Sequence, residues 1–206
     1  MKKCLVALLM LVSVSGLTAQ ENLKFSAQIR PRFEFDNKDF KLATKANTFT
    51  LLRTRLGFSF SPVKNLTGFI QVQDSRTFGE ETSTSANMKN LDLHQAFFKI
   101  ENLFDLPIDL KLGRFEASYG SERFIGTVNW NNVGRSFDGG VISFKHDKVN
   151  VDLLIAREFE RFLVGDSTDQ NIYGLFIDLN LIKSYKIRPF VIMQRMQPTN
   201  VLSRTT

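Results

Sequence analysis

The stretch KFSAQIRPRFEF, residues 24–35, decides the fold. Its residues alternate between polar and apolar from one end to the other. Successive side chains of a β-strand point to opposite faces, so this alternation collects all the apolar side chains on one face. That face carries Phe25, Ala27, Ile29, Pro31, Phe33 and Phe35, and the other carries Lys24, Ser26, Gln28, Arg30, Arg32 and Glu34. The pattern predicts an amphipathic strand.

The same alternation recurs along the chain and predicts eight further strands. They lie near residues 50–60, 67–74, 92–100, 108–116, 137–145, 150–157, 172–179 and 185–194. In the first of these, Arg53 and Arg55 lie on the polar face. Phe accounts for 20 of the 206 residues, which favours strands, and no segment shows a convincing helical period. We therefore expect an all-β protein of about nine antiparallel strands.

The connections between the predicted strands alternate between long and short. Short connections such as SPVKNL and HDKV separate long ones such as DNKDFKLATKANT and residues 75–90. Outer-membrane β-barrels have long extracellular loops and short periplasmic turns. The sorting of the loops favours a transmembrane barrel over a soluble sandwich. In such a barrel the apolar faces point toward lipid and the polar faces line the lumen.

The predicted polar faces carry more bases than acids. The bases are Lys24, Arg30, Arg32, Arg53, Arg55, Lys99, Lys111, Lys145, Lys186 and Arg188, and the acids are Glu34, Asp109, Asp152 and Asp178. On a lumen wall this excess would attract anions and repel cations. Two alternatives stay open at this point, an ordinary solvated protein face and a periplasmic ligand-binding β-barrel.

The N-terminus, MKKCLVALLMLVSVSGLTAQ, has the form of a secretory signal peptide. Two lysines precede an apolar run that is too short to span a membrane. We expect residues 1–20 to be removed and residues 21–206 to form the barrel domain in the outer membrane. The mature chain then lacks cysteine and has 25 basic against 21 acidic residues, a net charge of +4. An exported, mildly basic chain argues against nucleic acid as a partner and favours an anionic solute.

Three stretches, in this order, resemble the alginate export porin family. They are TRLGFSFSPVKNLTGFIQVQDSRTFGEE, LDLHQAFFKI, and LKLGRFEASYGSERFIG followed by NWNNVGRSFDGG. The resemblance is strong over residues 50–145 and weak elsewhere, and its specificity comes from the ordered series of motifs. It implies an eighteen-stranded outer-membrane barrel whose narrow, arginine-lined lumen passes an anionic polysaccharide.

The resemblance also implies which side chains line the path of the solute. By motif position these are Arg53, Arg55, Asp74, Arg76, Arg114, Glu122, Arg123, Arg135 and Asp138. The polar faces add Arg30, Arg32 and Lys111. The expected function is passive passage of an anionic polysaccharide or related anionic solute, with outer-membrane lipid around the barrel and with unspecified periplasmic export partners. A general or anion-preferring porin with no polysaccharide role is the alternative.

The number of strands is odd, whereas bacterial single-chain barrels usually have an even number. The final residues, QPTNVLSRTT, are polar and contain no closing strand. An open sheet in lipid would leave backbone N–H and C=O groups unsatisfied at its edges. We therefore expect the chain to be the N-terminal portion of a larger barrel. The alternative is a small barrel that closes at eight or nine strands and packs its lumen with side chains.

No group of residues predicts catalysis, a metal site or a cofactor. His94 and His146 lie on different strands and have no cysteine partner, which is too few ligands for zinc. Glu80 and Glu81 are adjacent and cannot face each other across a glycosidic bond. Ser143 is close to His146 in sequence, but both flank a short turn on the side away from substrate. We expect a protein that is not an enzyme.

The fifth connection, GRFEASYGSERFIGTVNWNNVGRSFDGG at residues 113–140, is unusual for a loop. It holds six glycines and the only tryptophan, Trp130. Its charges balance, since Arg114, Arg123 and Arg135 stand against Glu116, Glu122 and Asp138. We hypothesise that it folds into the barrel mouth, is held there by its own ion pairs and narrows the passage. Trp130 suits either an interfacial aromatic girdle or a sugar-stacking surface.

Overall fold

The computed structural model describes residues 22–37, 47–80, 83, 90–159, 162–163, 166–167, 170–182 and 185–196. The strands are β1 Leu23–Asp36, β2 Asn47–Val63, β3 Leu66–Thr77, β4 Leu91–Ile100, β5 Ile108–Phe115, β6 Phe137–Lys145, β7 Val149–Phe159, β8 Phe162–Leu163, β9 Asp166–Ser167, β10 Gln170–Ile182, β11 Tyr185–Ile187 and β12 Phe190–Met196. The predicted signal peptide lies outside the described residues. Within these ranges, the structure contains no helix with the length and hydropathy needed to cross a membrane.

Ten of these strands form one antiparallel sheet in the order β1-β2-β3-β4-β5-β6-β7-β10-β11, and β12 also pairs with β10. β11 and β12 lie along successive parts of β10 and together correspond to the predicted ninth strand. The two are separated by Arg188 and by Pro189, which has no N–H to donate to the ladder. β8 and β9 form a separate hairpin. The all-β prediction is confirmed, and the sheet is open, as expected for part of a barrel.

The alternation of long and short connections is also confirmed. β2 and β3 are joined by Lys64 and Asn65, and Asn65 adopts the left-handed conformation of a tight turn, with φ of 66°. Residues 101–107 and 146–148 make the next two short turns, whereas residues 78–90 and 116–136 are long connections. Several strands are longer than predicted: β2 begins at Asn47, β3 continues to Thr77, and β10 extends from Gln170 to Ile182.

One face of the sheet exposes its apolar side chains, as the alternation predicted. On β1, Phe25 is 81% exposed and Phe33 is 70% exposed. We call this the outer face. It includes Ile29, Leu56, Ile70, Val72, Leu93, Phe98, Leu112, Ile142, Leu153, Ile155 and Leu175. A continuous apolar surface of this kind is a liability in water and is the lipid-facing band of a membrane barrel.

The opposite, inner face is covered by residues 116–136, which we call the inner segment. The hydrophobic core of the described residues lies between this segment and the inner face. It consists of Phe115, Ala117, Ile125, Phe137, Val141, Leu154, Ala156 and Ile172. The chain therefore builds its core by folding one long connection back over strands β5 to β10. This agrees with the hypothesis that the connection folds inward instead of extending away from the sheet.

Candidate functional site

Four arginines form a cluster on the inner face of β1 and β2. Arg30 lies directly opposite Arg53 in the register of the two strands, and Arg55 lies two residues along on the same face as Arg53. Arg32 comes two residues after Arg30, so the period of two brings all four to one side of the sheet. Arg53 is 2% exposed and Arg55 is 5% exposed. The alternation had placed all four on polar faces, and the register of β1 and β2 brings them to one place on the inner face.

The guanidinium groups of this arginine cluster hold the inner segment by its backbone. Arg30 donates to the carbonyls of Asn129 and, at 2.8 Å, Asn131. Arg32 donates to the carbonyl of Trp130, and Arg53 donates to that of Asn131 at 3.3 Å. Arg55 Nη2 donates to the carbonyl of Val133 at 3.3 Å. Guanidinium groups can only donate, and successive carbonyl oxygens offer them a row of acceptors. The contacts join residues about 80 to 100 positions apart in the chain.

Asn132 fixes the same part of the inner segment to the backbone of β2 and β3. Its side-chain Nδ2 donates to the carbonyls of Leu52 at 3.5 Å and Arg76 at 3.3 Å. Its own carbonyl accepts a hydrogen bond from Ser75 Oγ at 3.0 Å. The segment is therefore attached both through side chains of the sheet and through its own amide.

A buried polar group lies beside the arginine cluster. Arg55 Nε donates to Gln73 Oε1 at 2.5 Å, and Arg55 Nη1 lies 3.0 Å from Glu116 Oε1. His94 Nε2 is 2.8 Å from both Arg55 Nη2 and Glu116 Oε1. A ring nitrogen can accept from the guanidinium or donate to the carboxylate, so it serves one of these partners at a time. Glu116 thus supplies the negative charge nearest to Arg55.

These neighbours lower the pKa of Glu116, which follows β5 and is the first residue of the inner segment. Burial raises the pKa of its carboxyl, but hydrogen bonding to His94 and the charge of Arg55 outweigh burial, and the pKa lies below its ordinary value of 4.5. The carboxylate is consequently ionised at neutral pH. Glu116 pairs with Arg55, and Glu34 pairs with Arg32 at 2.5 Å, so among the described residues Arg30 and Arg53 have no acidic partner.

A second set of charges lies on the inner face near the short turns. Asp109 is buried, and its Oδ2 lies 2.6 Å from Lys145 Nζ and 3.3 Å from Lys99 Nζ. Lys111, another predicted lumen residue, points to the same face and lies over the rings of Phe97 and Phe115 at 5.0 and 5.1 Å. Such cation–π contacts hold the ammonium group without neutralising its charge.

Four predicted lumen residues are on the wrong face. In β3, Ser75 and Gln73 point inward, so Asp74 and Arg76 point outward, where they bond to each other at 2.7 Å. The Asp74 and Arg76 assignment taken from the resemblance is therefore wrong.

The same correction applies to Arg114 and Asp138. They face each other across β5 and β6 on the outer face, where Arg114 Nε and Nη2 each donate to the Asp138 carboxylate at 2.7 Å. The neighbouring outward side chains are Leu112 and Ile142. A period of two excludes both charges from a face that carries Phe115 and Phe137.

The remaining predicted residues, Glu122, Arg123 and Arg135, belong to the inner segment. Glu122 accepts hydrogen bonds from Ser118 Oγ at 2.7 Å and from Thr127 at 3.3 Å. Arg135 lies over the Phe137 ring at 5.9 Å.

Of the ion pairs expected within residues 113–140, Arg114 with Asp138 forms, between β5 and β6, whereas Glu116 pairs with Arg55. The arginines that hold the inner segment by its backbone come from β1 and β2.

Sequence reasoning missed several members of the site. Gln73 could be predicted in part, because the alternation of β3 places it on the polar face. His94 had been considered as a zinc ligand. The carbonyl groups of residues 129–133 left no signal, because every residue has one. The exposed indole of Trp130 lies in the inner segment, whereas the aromatic girdle of a barrel would be on the outer face.

The chemistry that this arrangement supports is the binding of anions. Arg53 Nε is buried and has no hydrogen-bond partner within the described residues. Guanidinium groups bind carboxylates and phosphates through paired, charge-assisted hydrogen bonds. In the ranges that the structure describes, no three His, Cys, Asp or Glu side chains converge in a way that could hold a metal ion.

The sheet is antiparallel and open, with an apolar outer face, a basic inner face, and long connections that alternate with short ones. These features define the class as an outer-membrane β-barrel porin. The family model described as alginate export matches residues 21–202. The chain therefore belongs to the alginate export family, a family of outer-membrane transport porins and not of enzymes. No curated protein matches the chain.

Proposed function

We propose that the inner face lines a channel that passively conducts an anionic polysaccharide or a related anionic solute. The observation that carries this proposal is the cluster of Arg30, Arg32, Arg53 and Arg55, whose four positive charges face neutral backbone carbonyls and only two carboxylates, Glu34 and Glu116. Neutral acceptors satisfy the donors geometrically and leave the positive charge in place. A polymer that carries one carboxylate per sugar unit would meet a row of guanidinium groups at the entrance of this channel.

Passage requires attraction that is strong enough for entry and weak enough for release. The positive charge raises the local concentration of anions near the lumen wall. Glu116, Asp109 and Asp152 lie on or beside the same face and limit how tightly any one carboxylate is held. Alternating attraction and repulsion along the wall supports movement from one weak site to the next.

The inner segment would set the width of this channel. It crosses the inner face from the core at Ile125 to the arginine cluster, so a solute has to pass beside it. The carbonyls of residues 129–133 occupy donors that a carboxylate would also use. Carboxylates form stronger hydrogen bonds with guanidinium than neutral carbonyls do, so an anionic solute can compete for them.

The domain organisation is part of the same proposal. Residues 1–20 would direct export and be removed, and residues 21–206 would contribute strands to an outer-membrane barrel. N-terminal sequencing of the protein recovered from outer membranes tests the cleavage. A first residue well before position 20 would contradict it.

Planar-bilayer recordings of the full-length protein test the channel. We expect a chloride-over-potassium permeability ratio above one and partial block of the current by a hexameric oligouronate. Replacing both Arg53→Gln and Arg55→Gln should bring the ratio toward one. The matched control is Arg114→Gln, which removes an arginine from the outer face and should leave the ratio unchanged.

The outcomes separate the possible functions. Cation selectivity of the unaltered protein would overturn the proposal. Anion selectivity without any block by the oligouronate would support an anion-preferring porin with no polysaccharide role. An equal loss of selectivity in the Arg114→Gln variant would show that net charge, and not the arginine cluster, sets selectivity.

A further inference from the structure

A cleft on the inner face lies away from the arginine cluster. It has a volume of about 770 Å³, is open to solvent, and is lined by residues 118–121 and 123–125 of the inner segment and by residues of β7, β10 and β12. Ligand pockets in proteins commonly have volumes of about 300–1,000 Å³. We call it the aromatic cleft, because rings from three parts of the chain meet along it.

Four aromatic rings are arranged in a continuous row along this cleft. Tyr119 stacks on Phe176 with ring centres 3.7 Å apart and planes within 2°. Phe176 neighbours Phe190 at 6.3 Å, and Phe190 neighbours Phe124 at 5.5 Å. Tyr119 and Phe176 pack against the core, whereas Phe124 is 63% exposed and Phe190 is 50% exposed. The row therefore presents open ring surface at one end.

This open ring surface is not part of a lipid-facing girdle. In the register of β10 and β12, Phe176 lies opposite Phe190, and both are on the face of Ile172, which belongs to the core beneath the inner segment. The girdle of a barrel is formed by aromatics of the outer face. Aromatic side chains exposed on a lumen wall have no lipid to contact and instead meet whatever passes through the lumen.

Charged and polar groups surround the rings. Asp178 and Arg188 form an ion pair at 3.0 Å on the cleft wall, and Asp152 lies beside Tyr119. Burial, together with the charge and hydrogen bonding of Asp152, raises the pKa of the Tyr119 hydroxyl, so it stays protonated. Arg123 lines the cleft and forms no hydrogen bond or ion pair with any other described residue. The cleft thus combines apolar ring faces, hydrogen-bond acceptors and an available cation.

We infer that the aromatic cleft is a saccharide-binding subsite of the channel. One face of a sugar ring carries only C–H groups and stacks on the exposed rings of Phe124 and Phe190, while carboxylates of the wall accept hydrogen bonds from sugar hydroxyls. Arg123 is placed to contact a carboxylate on the same sugar. The inference rests on the proposed channel function and adds that the solute is recognised by its sugar rings as well as by its charge.

The test compares a neutral and an acidic oligosaccharide of equal length on the full-length channel in planar bilayers. The probes are maltohexaose and hexagalacturonate, and the measurement is the concentration that halves the current. The variant that removes the open ring surface is Phe124→Leu with Phe190→Leu, which keeps apolar side chains of similar size. The control is Phe33→Leu on the outer face.

If the inference is right, both hexamers block the unaltered channel. Loss of the two rings should weaken both probes by about tenfold, which corresponds to about 1.4 kcal/mol. Arg53→Gln should weaken hexagalacturonate alone. Far-UV circular dichroism checks that the variants keep their strands. Should the double variant fail to fold, Arg123→Gln is the second variant, and it should weaken hexagalacturonate while leaving maltohexaose unchanged.

The inference and the proposed function fail in different ways. Absence of block by maltohexaose in the unaltered channel, or equal block in the Phe33→Leu and double-leucine variants, would overturn the aromatic cleft while leaving an anion channel intact. Block by maltohexaose that depends on the two rings, in a channel with no anion selectivity, would support the cleft and contradict the anion channel.

Discussion

The two halves of the inner segment are held to the same sheet by different forces. Residues 117–125 are anchored by burial, with Ala117 and Ile125 inside the core. Residues 127–133 are held by hydrogen bonds from the arginine cluster and by Asn132. Burial of apolar surface depends little on solutes, whereas interactions of charged donors are weakened by salt and by competing anions. We therefore expect one half to act as a fixed anchor and the other to be the part that an anionic solute displaces.

The largest predicted effect comes from weakening the anchor. Ile125 is 2% exposed, and Ile125→Ala leaves a cavity that costs about 2–5 kcal/mol. We expect the first half of the segment to open and trypsin to cut after Arg123 much faster than in the unaltered protein folded in lipid vesicles. Ile142→Ala, on the outer face, is the control and should leave the cutting rate unchanged. An unchanged rate in Ile125→Ala would mean that the core does not hold this half.

A smaller effect should follow from removing one arginine of the cluster. A hydrogen bond to a charged group contributes about 1.5–3 kcal/mol, so Arg53→Gln should accelerate amide hydrogen exchange in residues 127–133 by at least about tenfold. Exchange in residues 117–125 should not change. The measurement is hydrogen exchange followed by mass spectrometry, with Arg114→Gln as the matched control. Equal acceleration in both halves would contradict the division between them.

Two glycines allow a finer comparison between the halves. Gly134 has φ of 82° and Gly120 has φ of 61°, so alanine is strained at both by about 1–2 kcal/mol. At Gly134 a Cβ atom would also lie 2.7 Å from Arg55 Nη2, whereas at Gly120 nothing lies within 4 Å. Gly134→Ala should therefore lower the free energy of unfolding more than Gly120→Ala in urea titrations of vesicle-inserted protein. Equal losses would show that Arg55 moves aside freely.

The smallest effect concerns pH. The pKa of Glu116 is below its ordinary value in the folded protein, so the stabilisation that it provides is fully present above about 4.5 and is lost as pH falls below that value. Protection of residues 127–133 against hydrogen exchange, corrected for intrinsic rates, should decline below pH 4.5. In a Glu116→Gln variant this pH dependence should disappear. A decline of the same size in that variant would assign the effect to another group.

The strands and their faces could be predicted from the sequence, because a period of two is a local property. The pairing of Arg53 with Arg30 follows once β1 and β2 form a hairpin, and the structure shows it. Motif position implied that Asp74, Arg76, Arg114 and Asp138 line the lumen. The alternation, however, extends through the ends of β3, β5 and β6. Applied there, the same local rule would have placed all four outside.

The position of the inner segment against the sheet could not be predicted in the same way. Its contacts join residues about 80 to 100 positions apart and use backbone carbonyls, which no side-chain pattern reveals. The balanced charges of the segment suggested internal ion pairs. The structure forms one such pair, Arg114 with Asp138 between β5 and β6, whereas Glu116 pairs with Arg55 of β2. The net charge of the segment can be read from the sequence, but the pairing of its charged side chains cannot.

The position of Trp130 gives the protein a built-in optical reporter. It is the only indole in the chain, its carbonyl is held by Arg32, and its ring is 73% exposed. Tryptophan emission from residues 1–206 therefore reports on residues 127–133 of the inner segment. Titration with an anionic oligosaccharide can be followed by this emission without any label, in vesicles where electrical recording is impossible.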